Sequence, residues 1–118
     1  MKISIYTKTY NPLDSMKTFL DFYYGLDMQF LASDLLKIGL TPKEISDAVL
    51  KAIKTGKTSG IEIRKHFMPV FTQVNTSIVN DCKLSKMGYG LVLLNANSEL
   101  SSVAEWQIKI LNNFFDLA

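Results

Sequence analysis

Apolar residues recur along this chain mostly at intervals of three and four, and at intervals of two in only a few short stretches, so the pattern predicts helices with a small sheet. Ile3 and Ile5 alternate with Ser4 and Tyr6, the period of an edge strand or a loosely held arm over Lys2 to Lys8. Asn11-Pro12 then opens a first helix, which Gly25 ends. Met16, Phe19, Leu20 and Tyr23 share one face of it and are predicted to pack in the core. From Met28 to Ile38, Phe30, Leu31, Leu35 and Ile38 predict a second helix closed by Gly39.

Thr41-Pro42-Lys43-Glu44 is the sharpest local signal in the chain. It combines an N-cap threonine, a proline at the first helical position and a glutamate placed to complete a capping box. Ile45, Ala48, Val49 and Ala52 continue a third helix to about Lys54, where Thr55 to Gly60 breaks the period. Ile61 and Ile63 predict a short strand, with Val70 to Val74 as its partner beyond Pro69. Leu84 to Leu94 fits a buried strand or a helix, and a helix ending near Asn95 is preferred despite Gly88 and Gly90. Ser101-Ser102 is predicted to cap a last helix, docked across the core by Val103, Trp106, Ile110 and Phe114, with Ile108 and Leu111 broadening the stripe. The expected fold is α+β and predominantly helical, a compact single domain over residues 1–118 of about five helices with a small antiparallel sheet.

Composition changes this picture in two respects. With 47% hydrophobic and 20% charged residues, the chain can bury a contiguous core and needs no metal or disulfide to fold. Cys82 is the single cysteine, and no charged head with a long apolar run marks a signal peptide or membrane span, so a reducing, cytoplasmic location away from membranes is expected.

The net charge of +2 hides an uneven distribution. Residues 51–86 hold Lys51, Lys54, Lys57, Arg64, Lys65, Lys83 and Lys86 against Glu62 and Asp81, a local charge of +5. Such a segment either keeps itself in water or attracts anionic partners with a salt-sensitive affinity.

Candidate chemistry is sparse. His66 and Cys82 are the one histidine and the one cysteine, too few for a structural zinc site and without a third group to orient a catalytic dyad. A structural cysteine and a hydrogen-bonded histidine are the expected roles. Gly56-Lys57-Thr58 resembles the end of a phosphate-binding loop, but Lys51 occupies the position of its first glycine. The second helix, the Gly39 turn and the third helix have the outline of a helix-turn-helix. However, Lys43, Glu44, Ser46 and Asp47 are poor base readers, so two packed helices are the commoner explanation.

A family resemblance runs through the second half of the chain. Ser59-Gly60 leading to His66-Phe67, Asp81 with Leu84-Ser85-Lys86, Leu91 to Asn95, and Val103-Ala104 with Gln107 resemble the amino-terminal domain of DNA-damage-inducible protein D. More distantly, they are similar to the BRO-type domains of phage antirepressors. The resemblance implies a short regulatory domain tied to DNA binding or the DNA-damage response, with Lys54, Lys57, Arg64, Lys65 and Lys86 as basic positions in or beside the motif. It also implies packing roles for Leu84, Leu91, Ala104 and Trp106. Asn95-Ala96-Asn97-Ser98 departs from the family's Asn-Gly-Asp-Pro turn, and the aromatic residues near the second helix are thinned to Phe30. The longer relatives continue with a carboxyl-terminal region while this chain stops at Ala118, so any activity needing that region is expected to be absent or supplied by another protein.

These readings lead to a non-enzymatic nucleic-acid-binding or regulatory domain with no cofactor, metal or small-molecule substrate. Its expected phosphate contacts are Lys51, Lys54, Lys57, Arg64, Lys65, Lys83 and Lys86. The alternative is a protein-interaction module or homodimer with no direct DNA contact, meeting its partner through Phe22-Tyr23-Tyr24 and Trp106 with Phe114-Phe115.

Overall fold

The capping box read from Thr41 to Glu44 forms as expected: Thr41 Oγ1 accepts from the Glu44 amide at 3.2 Å and a Glu44 carboxylate oxygen accepts from the Thr41 amide at 3.0 Å. The computed structural model describes residues 12–116, so the strand or arm expected at Lys2 to Lys8 lies outside the described residues. In chain order, these residues form helix α1 (Pro12–Gly25), strand β1 (Phe30–Leu31), a 3₁₀ helix (Ala32–Ile38) and helix α2 (Pro42–Ser59). A 3₁₀ turn (Ile63–Lys65), strands β2 (Phe67–Val74) and β3 (Ser77–Leu84), and helices α3 (Lys86–Leu94) and α4 (Ser101–Phe115) follow. The fold is α+β, predominantly helical, with one small antiparallel sheet, as the periodicity predicts.

Helix α2 does not stop near Lys54 but runs on to Ser59, where Gly60 turns it off at φ 87°. Ile61 and Ile63 fold back against Gly56; a Cβ at that position would stand 2.7 Å from Ile63 Cδ1. Gly56 thus serves as a seat for these two isoleucines rather than as a helix breaker. The same contact explains why Ile61 and Ile63 are not in a strand: their side chains are used against α2, and Ile63–Lys65 is a 3₁₀ turn.

The sheet is ordered β1-β3-β2, so its central strand is Ser77–Leu84, whose Ile78-Val79 pair and Asn80-Asp81 break the strict alternation from which a strand is read. It pairs with β2 in a hairpin turned at Asn75-Thr76, with Asn75 at φ 57°. Val70 is paired with Asp81, not with the Ile61 region. Pro69 lies on the outer strand, where a missing N–H is tolerated.

On the other edge, Phe30 and Leu31 pair with Leu84 and Lys83, which removes them from the predicted second helix. What remains of that helix is the 3₁₀ segment from Ala32. Its first amides are met by carboxylates, with the Leu31 amide donating to Asp34 at 2.9 Å and the Ser33 amide donating to Asp81 at 3.1 Å. Gly39 closes it in the left-handed conformation at φ 104°, as expected.

The helix preferred over Leu84 to Leu94 is present as α3 but begins at Lys86, capped by Ser85 and ended at Asn95; Leu84 itself is the last residue of β3, paired with Phe30 and Phe67. Helix α4 forms where expected, but Leu100, not a serine, is its N-cap residue, and Ser102 Oγ instead donates to the Ile38 carbonyl at 3.1 Å. The core is gathered from every layer: Leu35, Leu40, Ala48 and Ala52 meet Phe67 and Leu84 from the sheet and Val92, Leu93 and Val103 from α3 and α4. Beside it, Tyr89 stacks on Phe30 at 4.4 Å and meets the edge of Trp106 at 6.3 Å.

Two apolar stripes depart from the sequence expectation. In α1, Met16, Phe19 and Tyr23 are more than half exposed instead of packed in the core. The helix is held by its other side, where Gly25 is buried against Met68 and Asp21 pairs with Arg64. In α4, Val103 is fully buried, but Ile108, Leu111 and Phe114 are exposed because the helix outruns the core.

Candidate nucleic-acid interface

The buried side of α2 is Ile45, Ala48, Ala52 and Gly56, with Val49 and Ile53 at its margin. At 100° per residue, Lys51, Lys54 and Lys57 fall on the opposite arc, each a turn or less from the next. All three are exposed, and among the described residues none of their ammonium groups has an ion-pair or hydrogen-bond partner. Lys43, on the same helix, is neutralised by Asp47 at 3.3 Å.

The other four predicted bases do not join this arc as a free set. Arg64 donates from Nε to Asp21 at 2.9 Å and from a terminal nitrogen to the Lys17 carbonyl at 3.2 Å. Lys65 pairs with Glu62 at 3.2 Å and lies 5.7 Å from the centre of the Tyr24 ring. Its hydrogen bond and charge attraction to Glu62 push its ammonium pKa up. Lys83 donates to the Gly25 carbonyl at 3.3 Å. Arg64, Lys65 and Lys83 therefore attach α1 to the sheet and its preceding turn. Lys86, the first residue of α3, is exposed and without a side-chain partner among the described residues.

The helix-turn-helix outline is not retained, since its first helix is replaced by β1 and the 3₁₀ segment. The amino end of α2 is also engaged in the fold: Glu44 accepts from the Thr41 amide and from the Asn97 side chain, contacts that hold its carboxyl below the usual range. Gly56-Lys57-Thr58 lies inside α2 and forms no phosphate-binding loop.

His66 and Cys82, the pair weighed as a dyad, have separate partners. His66 Nδ1 is 2.7 Å from Ser85 Oγ, which also accepts from the Gly88 amide at 3.0 Å. The Ser85 amide donates back to the His66 carbonyl at 3.1 Å, so His66, Ser85 and Gly88 form one latch between the sheet and α3. The histidine is hydrogen-bonded, as expected, but its partner 19 residues away has no sequence signal beyond the capping serine.

The Cys82 thiol is pushed up to about 11 by burial, with the Asp81 carboxylate adding to the shift and a backbone hydrogen bond from Met68 opposing it. Asp81 accepts from the amides of Ser33 and Cys82 and from Thr72 Oγ1, a network that β3's polar appearance conceals. No group of three or more histidine, cysteine, aspartate or glutamate residues able to hold a metal occurs among the described residues.

The half-buried Cys82 thiol leads to an expected loss of stability at alkaline pH. In the folded state Cys82 keeps its proton from its ordinary value of 9.0 up to about 11, while the unfolded chain loses it earlier. Its contribution is therefore intact below pH 9 and falls away as pH rises through 11, by roughly 2 kcal/mol in all. Tyr89, raised chiefly by burial and then by Asp34, acts in the same direction. Urea titrations at pH 8 and pH 10.5 should show this loss in the native chain, and Cys82→Ala should lessen it.

No protein-family model, curated protein or solved structure matches this chain.

Proposed function

We propose that the chain is a non-enzymatic nucleic-acid-binding or regulatory domain that meets phosphates with the outer arc of α2. The observation that carries this reading is the row of unpaired, exposed lysines Lys51, Lys54 and Lys57 on the face opposite the core. They rise together along about 9 Å of helix, close enough for each ammonium group to meet a separate phosphate of one strand. Lys86 is the remaining candidate contact. Arg64, Lys65 and Lys83 act as positioning residues for α1, since their donors are already engaged. The resemblance to DNA-damage-inducible and antirepressor domains supports the same class of partner. A cytoplasmic setting agrees with the single cysteine, and no helix among the described residues is long and apolar enough to cross a membrane.

Fluorescence anisotropy of labelled single- and double-stranded DNA across a salt series tests this. Replacing Lys51, Lys54 and Lys57 together by glutamine should weaken binding at least about tenfold at low salt and lower the slope of log affinity against log salt by about 2–3. Arg64→Gln with Lys65→Gln should leave that slope nearly unchanged. No binding at low salt, or a slope indifferent to the lysine changes, would sink the reading.

A protein-interaction reading is favoured by a separate observation, the exposed aromatic residues of α1 and α4.

A further inference from the structure

Between α1 and the outer strand β2 lies a cleft of about 320 Å³, at the lower end of the range of small-ligand pockets. Its lining is mostly apolar, with Phe67 and Val70 buried and Pro69 and Phe22 exposed. The charged groups in the lining are Asp21 and Arg64, one of each sign. They meet through a single contact, Arg64 Nε to Asp21 Oδ1 at 2.9 Å, and Arg64 Nη2 donates to the Lys17 carbonyl at 3.2 Å. Arg64 Nη1 and Asp21 Oδ2 have no partner among the described residues. The two side chains are 38% and 42% exposed, so both remain open to a ligand.

We propose that this cleft binds a free apolar α-amino acid, of the size of leucine, methionine or phenylalanine, as its zwitterion. The site goes beyond the nucleic-acid reading and does not rest on it. The paired charges select a ligand that carries both signs. A lone carboxylate or phosphate drawn to Arg64 meets the like charge of Asp21 beside it, and a lone amine drawn to Asp21 meets Arg64. A carboxylate and an ammonium on one carbon present the complementary dipole. The carboxylate accepts from Arg64 Nη1 and the ammonium donates to Asp21 Oδ2, while the existing contact between Nε and Oδ1 is kept. The side chain on that carbon then lies against Phe22, Phe67 and Val70, and burial of its apolar surface adds affinity. Phe22, which α1 leaves 58% exposed, thereby gains a role as a wall of the cleft. Since the lining comes from both α1 and the sheet, the bound amino acid adds a link between them.

Amide NMR spectra of the isotope-labelled full chain, without nucleic acid, titrated with leucine, methionine and phenylalanine to about 20 mM, test this. Saturable shifts centred on Asp21, Phe22, Arg64 and Val70 are expected for at least one of the three, with a Kd between about 10 µM and 2 mM. The N-acetyl and carboxamide forms of that amino acid, each lacking one charge, should bind at least about tenfold more weakly. These forms test the ion pair without disturbing it, which matters because Asp21 and Arg64 also hold α1. Phe22→Ala, at an exposed position, should weaken binding at least about threefold with the circular dichroism spectrum unchanged. No saturable shift with any of the three would overturn the proposal. Equal binding of a form with one charge, shifts centred elsewhere, or an unchanged affinity in Phe22→Ala would overturn it as well. A chain that fails to bind DNA would leave all of these expectations standing, so the two readings fail separately.

Discussion

Gly88→Ala is expected to cost about 3 kcal/mol or more of stability, lowering the melting temperature by roughly 10–20 °C. An added Cβ would stand 2.4 Å from the His66 carbonyl oxygen and 3.3 Å from its carbon, distances that side-chain adjustment cannot relieve because the obstruction is backbone. That carbonyl also accepts from the Ser85 amide, so it cannot retreat without releasing the cap of α3. The usual preference of helices for alanine over glycine, about 1 kcal/mol, acts in the opposite direction and is overwhelmed. Two other helical glycines calibrate the prediction. At Gly56 the obstruction is the end of the Ile63 side chain at 2.7 Å, which can rotate, so alanine there should cost much less. At Gly90 the nearest atom is on Trp106 at 3.4 Å, and alanine should be neutral or slightly stabilising. Thermal melts of the three variants would test the ranking, and equal losses at Gly88 and Gly90 would refute the steric argument.

Leu84→Ala is expected to cost about 3–4 kcal/mol, within the range for large-to-small changes in rigid cores. Leu84 is fully buried on the central strand, with Phe30 its register partner on one side and Phe67 on the other. It closes the sheet face against which Val92, Leu93 and Val103 pack, and elements held from three directions cannot collapse easily into the space left behind. Leu111→Ala, which removes the same side chain from a position 47% exposed, should cost well under 1 kcal/mol. Urea titration at neutral pH measures both; comparable losses would show that α4 is held more tightly than its exposure implies.

The two interaction readings place different demands on the same basic residues. If Arg64, Lys65 and Lys83 position α1, changing them should loosen α1 before it alters the salt dependence of DNA binding. The α2 lysines should do the reverse. The distinction rests on occupancy: a donor already held by Asp21, Glu62 or the Gly25 carbonyl must lose that contact before it meets a phosphate, whereas Lys51, Lys54 and Lys57 have none to lose.

The sequence by itself determined the elements whose ends are chemical and local. Thr41-Pro42-Glu44 starts α2, Gly39 closes the segment before it, Pro12 and Gly25 bound α1, and Asn95 ends α3, because a cap or a left-handed residue needs only its neighbours within one turn. The helical character and most of the helix read over Leu84 to Leu94 follow from the same short-range pattern, Leu84 itself being taken by the strand pairing. Only the tertiary structure decided the sheet and the direction of the faces. Ser77–Leu84 became the central strand because Phe30-Leu31 and Phe67–Val74 pair with it on either side, and Asp81 is accommodated there by Ser33, Cys82 and Thr72. Helix α2 passed Gly56 because Ile61 and Ile63 needed that space. The α1 stripe faced outward because the ion pair and the close glycine contact hold the helix by its opposite side. Of the bases within one segment, α2 leaves Lys51, Lys54 and Lys57 free while α1 engages Arg64 and Lys83, since charge is written in the sequence but partners separated by 43 or 58 residues are not.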